Sequence, residues 1–272
     1  MRLVTSSPTR KMKWNAADYA ANSAAQQIWA RELIAQLNLR GDEHILDVGC
    51  GDGKVTAEMA RAVPKGSVTG IDASPEMIRF ARNSFSEKTV PNLEFKMMDA
   101  RHICLARRFD IVFSSSVLHW VADHPAFLRG AAAYLRPGGR LVVSCGGEGN
   151  AQDVFVALRP EMRLKQWCKF FRKLPKPYFF HSPAEYEKWL PRFGFQTHSV
   201  RLSSKDAVYQ GRDRLAAWFR TTWLPYTQRV PEDLREKFTA SVVDRYLAKH
   251  PPDAEGCVRV RMVRLEIDAV KT

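Results

Sequence analysis

A chain of 272 residues, 45% hydrophobic and 26% charged, has the composition of an ordinary globular protein and room for one α/β domain with an embedded subdomain. No apolar run approaches the roughly 18 residues of a membrane span, and the basic start Met1–Lys13, with Ser6, Ser7 and Pro8, reads as a tail without the apolar core of a secretory signal. A formal charge of +13 points to an anionic partner, while five scattered cysteines and seven histidines without ligand spacing predict no disulfide framework, no metal and a reducing, cytoplasmic setting.

Residues 14–39 read as one helix or two, with Ile28, Leu33 and Leu37 at helical spacing. Trp14 and Tyr19 are placed to cover a pocket, or simply to pack on the sheet edge. The rest of the chain is organised around the stretch Glu43–Thr56. Ile45, Leu46 and Val48 form a short buried strand, Gly49, Gly51 and Gly53 a tight turn, and Val55, Met59 and Val63 one face of the next helix. A pyrophosphate site wants Gly-x-Gly-x-x-Gly; here the third glycine comes one residue early, and Asp47 and Asp52 put negative charge beside the turn. That charge disfavours phosphate and favours a cation. Cys50 reads as a small packed residue, not a nucleophile.

Regular alternation continues and predicts a parallel sheet with helices on both faces. Ser67–Asp72 is the second strand, and Ser74 with Pro75 caps a helix through about Ser86. Leu93–Asp99 is the third strand and Phe109–Ser116 the fourth, followed by Leu118-His119-Trp120. A helix over about His124–Leu135 stops at Arg136-Pro137-Gly138-Gly139, ahead of a fifth strand, Arg140–Cys145. Beyond it lie an aromatic and basic insertion with a break at Pro160, a short helix over Glu185–Arg192, and a strand Phe195–Leu202. A second insertion, residues 211–250, is split at Leu224-Pro225-Tyr226, and a last strand covers Cys257–Val270.

The expected fold is therefore α/β: a doubly wound, mostly parallel, Rossmann-like sheet of seven strands with the last antiparallel, plus helical insertions capping a substrate pocket. The expected organisation is a tail with covering helices (1–40), a core (41–149), a basic aromatic lid (150–182), a core helix and strand (183–207), a helical insertion (208–256) and a final strand (257–272).

Acids recur at the strand ends. Asp72 ends the second strand and Asp99 the third, and in a doubly wound sheet those ends lie side by side over the ligand crevice. One carboxylate there can accept both hydroxyls of a ribose. Asp99, with the N–H of Ala100, can read an adenine edge, and Ser115 at the end of the fourth strand faces the same crevice. A lone strand-end acid is usually a turn cap; three at successive strand ends argue for a site.

The segments Leu46–Gly53, Gly70–Met77 and Leu118–Trp120, with Trp14, Asn15 and Tyr19, resemble the class I S-adenosylmethionine-dependent methyltransferases over essentially the whole chain. Among them the chain is most similar to carboxyl methyltransferases of the trans-aconitate and juvenile hormone acid type. The resemblance implies S-adenosylmethionine as cofactor, S-adenosylhomocysteine as product, and a cofactor site at Asp47, Gly49, Cys50, Gly51, Asp72, Ala73, Met77, Asp99, Ala100 and Ser115. It also implies that Gln26 and Trp120 hold the acceptor carboxylate, with Tyr19 and His119 in the same pocket. Gln26 lies seven residues after Tyr19, two turns along if the two share a helix.

An ionised carboxylate needs no catalytic base. A hydroxyl, amine or carbon acceptor would more often use one, and His119 is the candidate, against its plainer reading as a packed histidine. A cofactor-fold protein without catalysis is the other class of reading; the intact acid and glycine set favours an enzyme. Arg163–Lys176 contains no acid, and Trp167, Phe170, Phe171 and Leu174 fall at i, i+3, i+4 and i+7. The expectation is a lid helix with Trp167 and Phe170 over the pocket. The alternatives are contact with an anionic membrane and, lacking any nucleic-acid-binding module, least of all a nucleic-acid surface. The acceptor expected is a small, anionic molecule.

Overall fold

The computed structural model describes residues 14–272. The expected tail over Met1–Lys13 lies outside them. Two helices, α1 (Ala16–Asn22) and α2 (Ala24–Ala35), precede the sheet. Then come β1 (His44–Val48), α3 (Lys54–Ala62), β2 (Ser67–Asp72), α4 (Pro75–Ser84), β3 (Leu93–Met97), β4 (Phe109–Ser115), α5 (His124–Tyr134) and β5 (Leu135–Gly146). The remainder is α6 (Gln152–Arg163), α7 (Pro183–Trp189), β6 (Phe195–Gln210), α8 (Gly211–Thr222), α9 (Leu224–Thr227), α10 (Arg235–Leu247) and β7 (Cys257–Lys271).

The seven strands form one sheet in the order β3-β2-β1-β4-β5-β7-β6. β1 to β5 pair parallel, and β7 runs antiparallel to both β5 and β6, as expected of the last strand. Two-residue periodicity sends alternate side chains to opposite faces. Ile45, Ile111 and Phe113 pack with Leu33, Met59 and Ile78 of α2, α3 and α4. Leu46, Val48 and Val112 pack with Phe127, Leu128, Tyr186 and Leu190 on the other face. Each such fully buried large apolar side chain contributes about 1.5–3 kcal/mol. Ser74 caps α4 as its sequence predicts, its hydroxyl accepting the Met77 N–H at 3.2 Å with Pro75 in the first turn. The strand order reverses between β1 and β4, which opens the crevice where a ligand binds in such sheets.

The two insertions share one core. Leu158, Trp167, Trp218, Phe219, Trp223, Phe238, Val242 and Tyr246 cluster with Val258 and Val260 of β7. β6 continues to Gln210, paired with Cys257, well past the expected end at Leu202. Its far half buries only Ala207 and Tyr209, with the apolar Val208 exposed between them, a weak alternation that conceals the strand in the sequence.

Four local expectations are corrected. Pro160 does not break α6; it lies inside it, and Val156, four residues back, is 41% exposed, so the carbonyl that loses its partner is on the water side. Residues 164–174 do not form the expected α-helix. α6 ends at Arg163, and only a 3-10 turn over Cys168–Phe170 follows. Tyr19 and Gln26 do not share a helix, because the chain turns at Ser23 between α1 and α2. β5 begins at Leu135, opposite Phe109, so Arg136–Gly139 lie within the strand as an irregularity rather than ahead of it.

Candidate active site

The glycine turn is strapped to the end of β2. Gly49 and Cys50 both donate their N–H groups to the Ile71 carbonyl, at 2.7 and 3.0 Å. The Asp72 carboxylate accepts the Gly51 N–H at 3.0 Å on one oxygen and the Ser74 N–H at 2.8 Å on the other. Asp72 therefore fixes both the turn and the start of α4. Gly49 and Gly51 have φ of +81° and +53°, a region costly for residues with a Cβ. They differ in what surrounds them. A Cβ on Gly49 would lie 2.2 Å from a Val117 methyl, whereas one on Gly51 would meet nothing within 4 Å. Asp47, buried at the end of β1, accepts the Thr56 hydroxyl at 2.7 Å.

Over this turn lies a cavity of about 860 Å³. All ten residues expected at a cofactor line it: Asp47, Gly49, Cys50, Gly51, Asp72, Ala73, Met77, Asp99, Ala100 and Ser115. So do four of the six expected at the acceptor, Tyr19, Gln26, His119 and Trp120. Trp167 and Phe170 do not. Trp167 is 2% exposed and packs edge-on against Phe238 of α10, with ring centroids 5.4 Å apart, and Phe170 packs against the same core. The aromatic stripe faces α10 and holds the two insertions together, away from the cavity. The expected lid is not there.

One end of the cavity is anionic. Burial pushes the Asp47 carboxyl up to about 7, against the Thr56 hydroxyl, and raises the Asp72 carboxyl against its backbone donors. Burial also raises the Cys50 thiol well above its ordinary value, which disarms it as a nucleophile. Lys54 Nζ lies 3.4 Å from Asp52 but donates instead to the Ala20 carbonyl at 2.6 Å. Asp99 is held by Arg101, whose Nε and Nη2 reach its two oxygens at 3.0 and 2.6 Å. Three buried polar atoms around the cavity have no hydrogen-bond partner among the described residues: Gln26 Oε1, Ser115 Oγ and Asp52 Oδ2, the last facing Lys54 Nζ at 3.4 Å. Unpaired acceptors, carboxylates raised by burial and an open backbone at Gly51 fit a bulky ligand with hydroxyls and positive charge, which is the chemistry of S-adenosylmethionine.

The other end is aromatic, with a single lysine or arginine among the described residues. Trp120 and Tyr178 lie edge to face with centroids 4.8 Å apart, and Tyr178 stacks on Phe180 at 5.5 Å. His119 sits in the 3-10 turn after β4, and its Nδ1 accepts the Gly146 N–H at 3.2 Å. Burial first, and Arg264 second, hold its imidazole down at about 3. Arg264 of β7 is 2% exposed. Its Nε donates to Ser144 Oγ at 3.2 Å, its Nη2 to the Ser144 carbonyl at 2.7 Å and to Ser116 Oγ at 3.0 Å, and its guanidinium lies 5.1 Å from the Trp29 ring centroid. Tyr19 lines the same cavity, and its phenol is raised by burial first and then by Asp52 and Asp72, against a lowering by Arg264.

Arg264 escapes the sequence reading, although a signal was present. Val258, Val260, Met262 and Arg264 share one phase of β7, so an arginine stands where the alternation buries apolar residues. Trp29, Tyr178, Phe180 and Trp223 also line the cavity unforeseen, brought there from three separate segments.

A family model described as a methyltransferase domain matches residues 45–139. The chain is 36% identical to a trans-aconitate 2-methyltransferase of Deinococcus radiodurans, over 80% of its own length and 84% of that protein. It is 29% identical to a trans-aconitate 2-methyltransferase of Agrobacterium fabrum, over 96% of its length and all of that protein. Among solved structures, the YcgJ protein of Bacillus subtilis superposes with a TM-score of 0.62 at 19% identity, covering 89% of this chain and 97% of that one, and shares the fold.

Proposed function

The chain belongs to the class I S-adenosylmethionine-dependent methyltransferases, and we propose that its acceptor is a small carboxylate, converted to a methyl ester. The observation that carries this reading is the hydrogen bond from the Gly146 N–H to His119 Nδ1. With that lone pair taken, the neutral ring bears its proton on Nε2 and presents a donor, not a base. A carboxylate is ionised already and asks only for donors and position. The names of the curated relatives point the same way.

When bound, S-adenosylmethionine supplies an electrophilic methyl on a sulfonium and departs as a neutral thioether. Asp72 would accept the ribose hydroxyls, and Asp99 with the Ala100 N–H would read the adenine edge beside Ala73 and Met77. Asp47, Ser115 and the Gly49–Gly51 turn would hold the amino acid end. Gln26 and Trp120, with the Nε2 proton of His119, would position the acceptor oxygen. Rotation of the Gln26 amide presents its NH₂ in place of the unpaired Oε1. Walls of Trp120, Tyr178 and Phe180 exclude water, which strengthens each of these contacts. Among the described residues no helix is long and apolar enough to cross a membrane.

Methyl-labelled cofactor incubated with a panel of carboxylic acids, phenols and amines tests the acceptor. A methyl ester releases methanol in mild base; an ether, a methylamine or a C-methyl product retains its label. Retention of the label in every product would overturn the reading.

A further inference from the structure

We infer that Arg264 anchors one carboxylate of the acceptor, and that the acceptor is a monocarboxylic acid with an apolar body rather than a di- or tricarboxylate. This rests on the carboxylate reading above.

Among the described residues Arg264 forms no ion pair, although it is 2% exposed. Its Nε and Nη2 are occupied by Ser116 and Ser144, and Nη1 has no hydrogen bond among the described residues. A buried cation without a counter-ion is costly, and the two free N–H groups of Nη1 can donate to a carboxylate. Charge around the rest of the cavity sharpens the point. Among the described residues three lysine or arginine side chains line it, and the other two stand beside carboxylates of the cofactor end, Lys54 beside Asp52 and Arg101 on Asp99. Among the described residues the acceptor end therefore offers one fixed positive charge.

Beside the neutral groups of Gln26, Ser116, His119 and Asn150, its walls are largely aromatic. Trp29, Trp120, Tyr178, Phe180 and Trp223 present rings, and the Tyr178 hydroxyl is turned away to the Thr222 carbonyl at 3.1 Å. Thr222 donates its own hydroxyl to the Trp218 carbonyl at 2.7 Å. A second or third carboxylate would be stripped of water against these rings with no cation to meet it. An aryl or long-chain body would instead gain from burial.

The test is calorimetric, on the full chain loaded with S-adenosylhomocysteine. The probes are 4-phenylbutyrate, its neutral amide 4-phenylbutyramide, and trans-aconitate. The wild type should bind 4-phenylbutyrate at least about tenfold more tightly than either of the others. Arg264→Gln should weaken 4-phenylbutyrate by about tenfold to a hundredfold, bring it level with the amide, and leave S-adenosylhomocysteine affinity unchanged. A merely structural arginine would not make acid and amide converge. Arg264→Lys, which keeps the charge, should retain part of the preference, and the wild-type comparison needs no variant to fold. Tighter binding of trans-aconitate, equal binding of acid and amide by the wild type, or no binding of any acid would overturn the inference. Binding of 4-phenylbutyrate with the expected preferences, but with no acid ever methylated, would leave the anchor standing and remove the methyl-ester reading instead.

Discussion

The backbone N–H of Gly146, at the end of β5, points at Nδ1 of His119 across 3.2 Å. A glycine suits that position, since a Cβ there would lie 2.8 Å from the Asn150 amide. Because burial holds the imidazole at about 3, the ring stays neutral at any ordinary pH. For a carboxylate acceptor, His119→Gln should then leave the turnover number within about tenfold, because a true general base typically contributes 10²–10⁴. Single-turnover rates at saturating cofactor and acceptor check this, and their pH profile should show no histidine step between pH 5 and 8. A loss beyond a hundredfold would mark the histidine as a base and the acceptor as a hydroxyl, amine or carbon acid.

Asp47 provides the pH dependence that His119 does not. Its folded-state value, about 7, lies above the ordinary carboxylate range. In the cofactor-free protein this stabilisation is complete below the unfolded value near 4 and is lost as pH rises through 7. The positive charge of the cofactor should favour the ionised form and expel the proton. Affinity for S-adenosylmethionine is therefore expected to rise between pH 5.5 and 7, by at most about tenfold per unit, and then level off. Calorimetry in buffers of different ionisation enthalpy should register proton release near pH 6. Asp47→Asn should abolish that release and flatten the slope.

The cofactor end was legible in the sequence because its parts are local. Gly49, Gly51, Asp72 and Asp99 each sit at a strand end or in the turn beyond it, and a parallel sheet brings successive strand ends together without further information. The acceptor end is assembled from α1, α2, the turn after β4, residues 178–180, α8 and β7, so no short stretch displays it. The stripe of Trp167, Phe170 and Phe171 misled for a related reason. Periodicity shows that those rings are buried, but not what buries them, and here it is α10.

The two glycines of the turn should fail in different ways. Gly49→Ala drives a Cβ into Val117, and the turn is tied to Ile71 by two hydrogen bonds, so the fold itself should suffer. Gly51→Ala meets open space, and its left-handed backbone costs only about 1–2 kcal/mol. Its methyl group, however, projects to the cofactor side. Thermal unfolding should show the larger loss for Gly49→Ala, while titration should show Gly51→Ala folded but weakened for S-adenosylmethionine. The reverse ranking in both measurements would contradict the geometry of the turn.

Trp120 and Trp167 allow the acceptor wall to be separated from the packing core. Trp120 lines the cavity against Trp14 and Tyr178, so Trp120→Ala should raise KM for the acceptor with little change in stability. Trp167 is enclosed against Phe238 and does not touch the cavity, so Trp167→Ala should cost about 3–5 kcal/mol of stability, the range for an aromatic lost from a core. At temperatures where that variant is still folded, its KM should match the wild type. Hydrogen exchange adds an independent reading. Cofactor and acceptor together should slow exchange around the 3-10 turn of His119 and Trp120, but leave residues 164–174 as they were, because that segment answers to α10 rather than to the ligand. Ligand-dependent protection of residues 164–174, with a raised KM for Trp167→Ala, would restore a lid over the site.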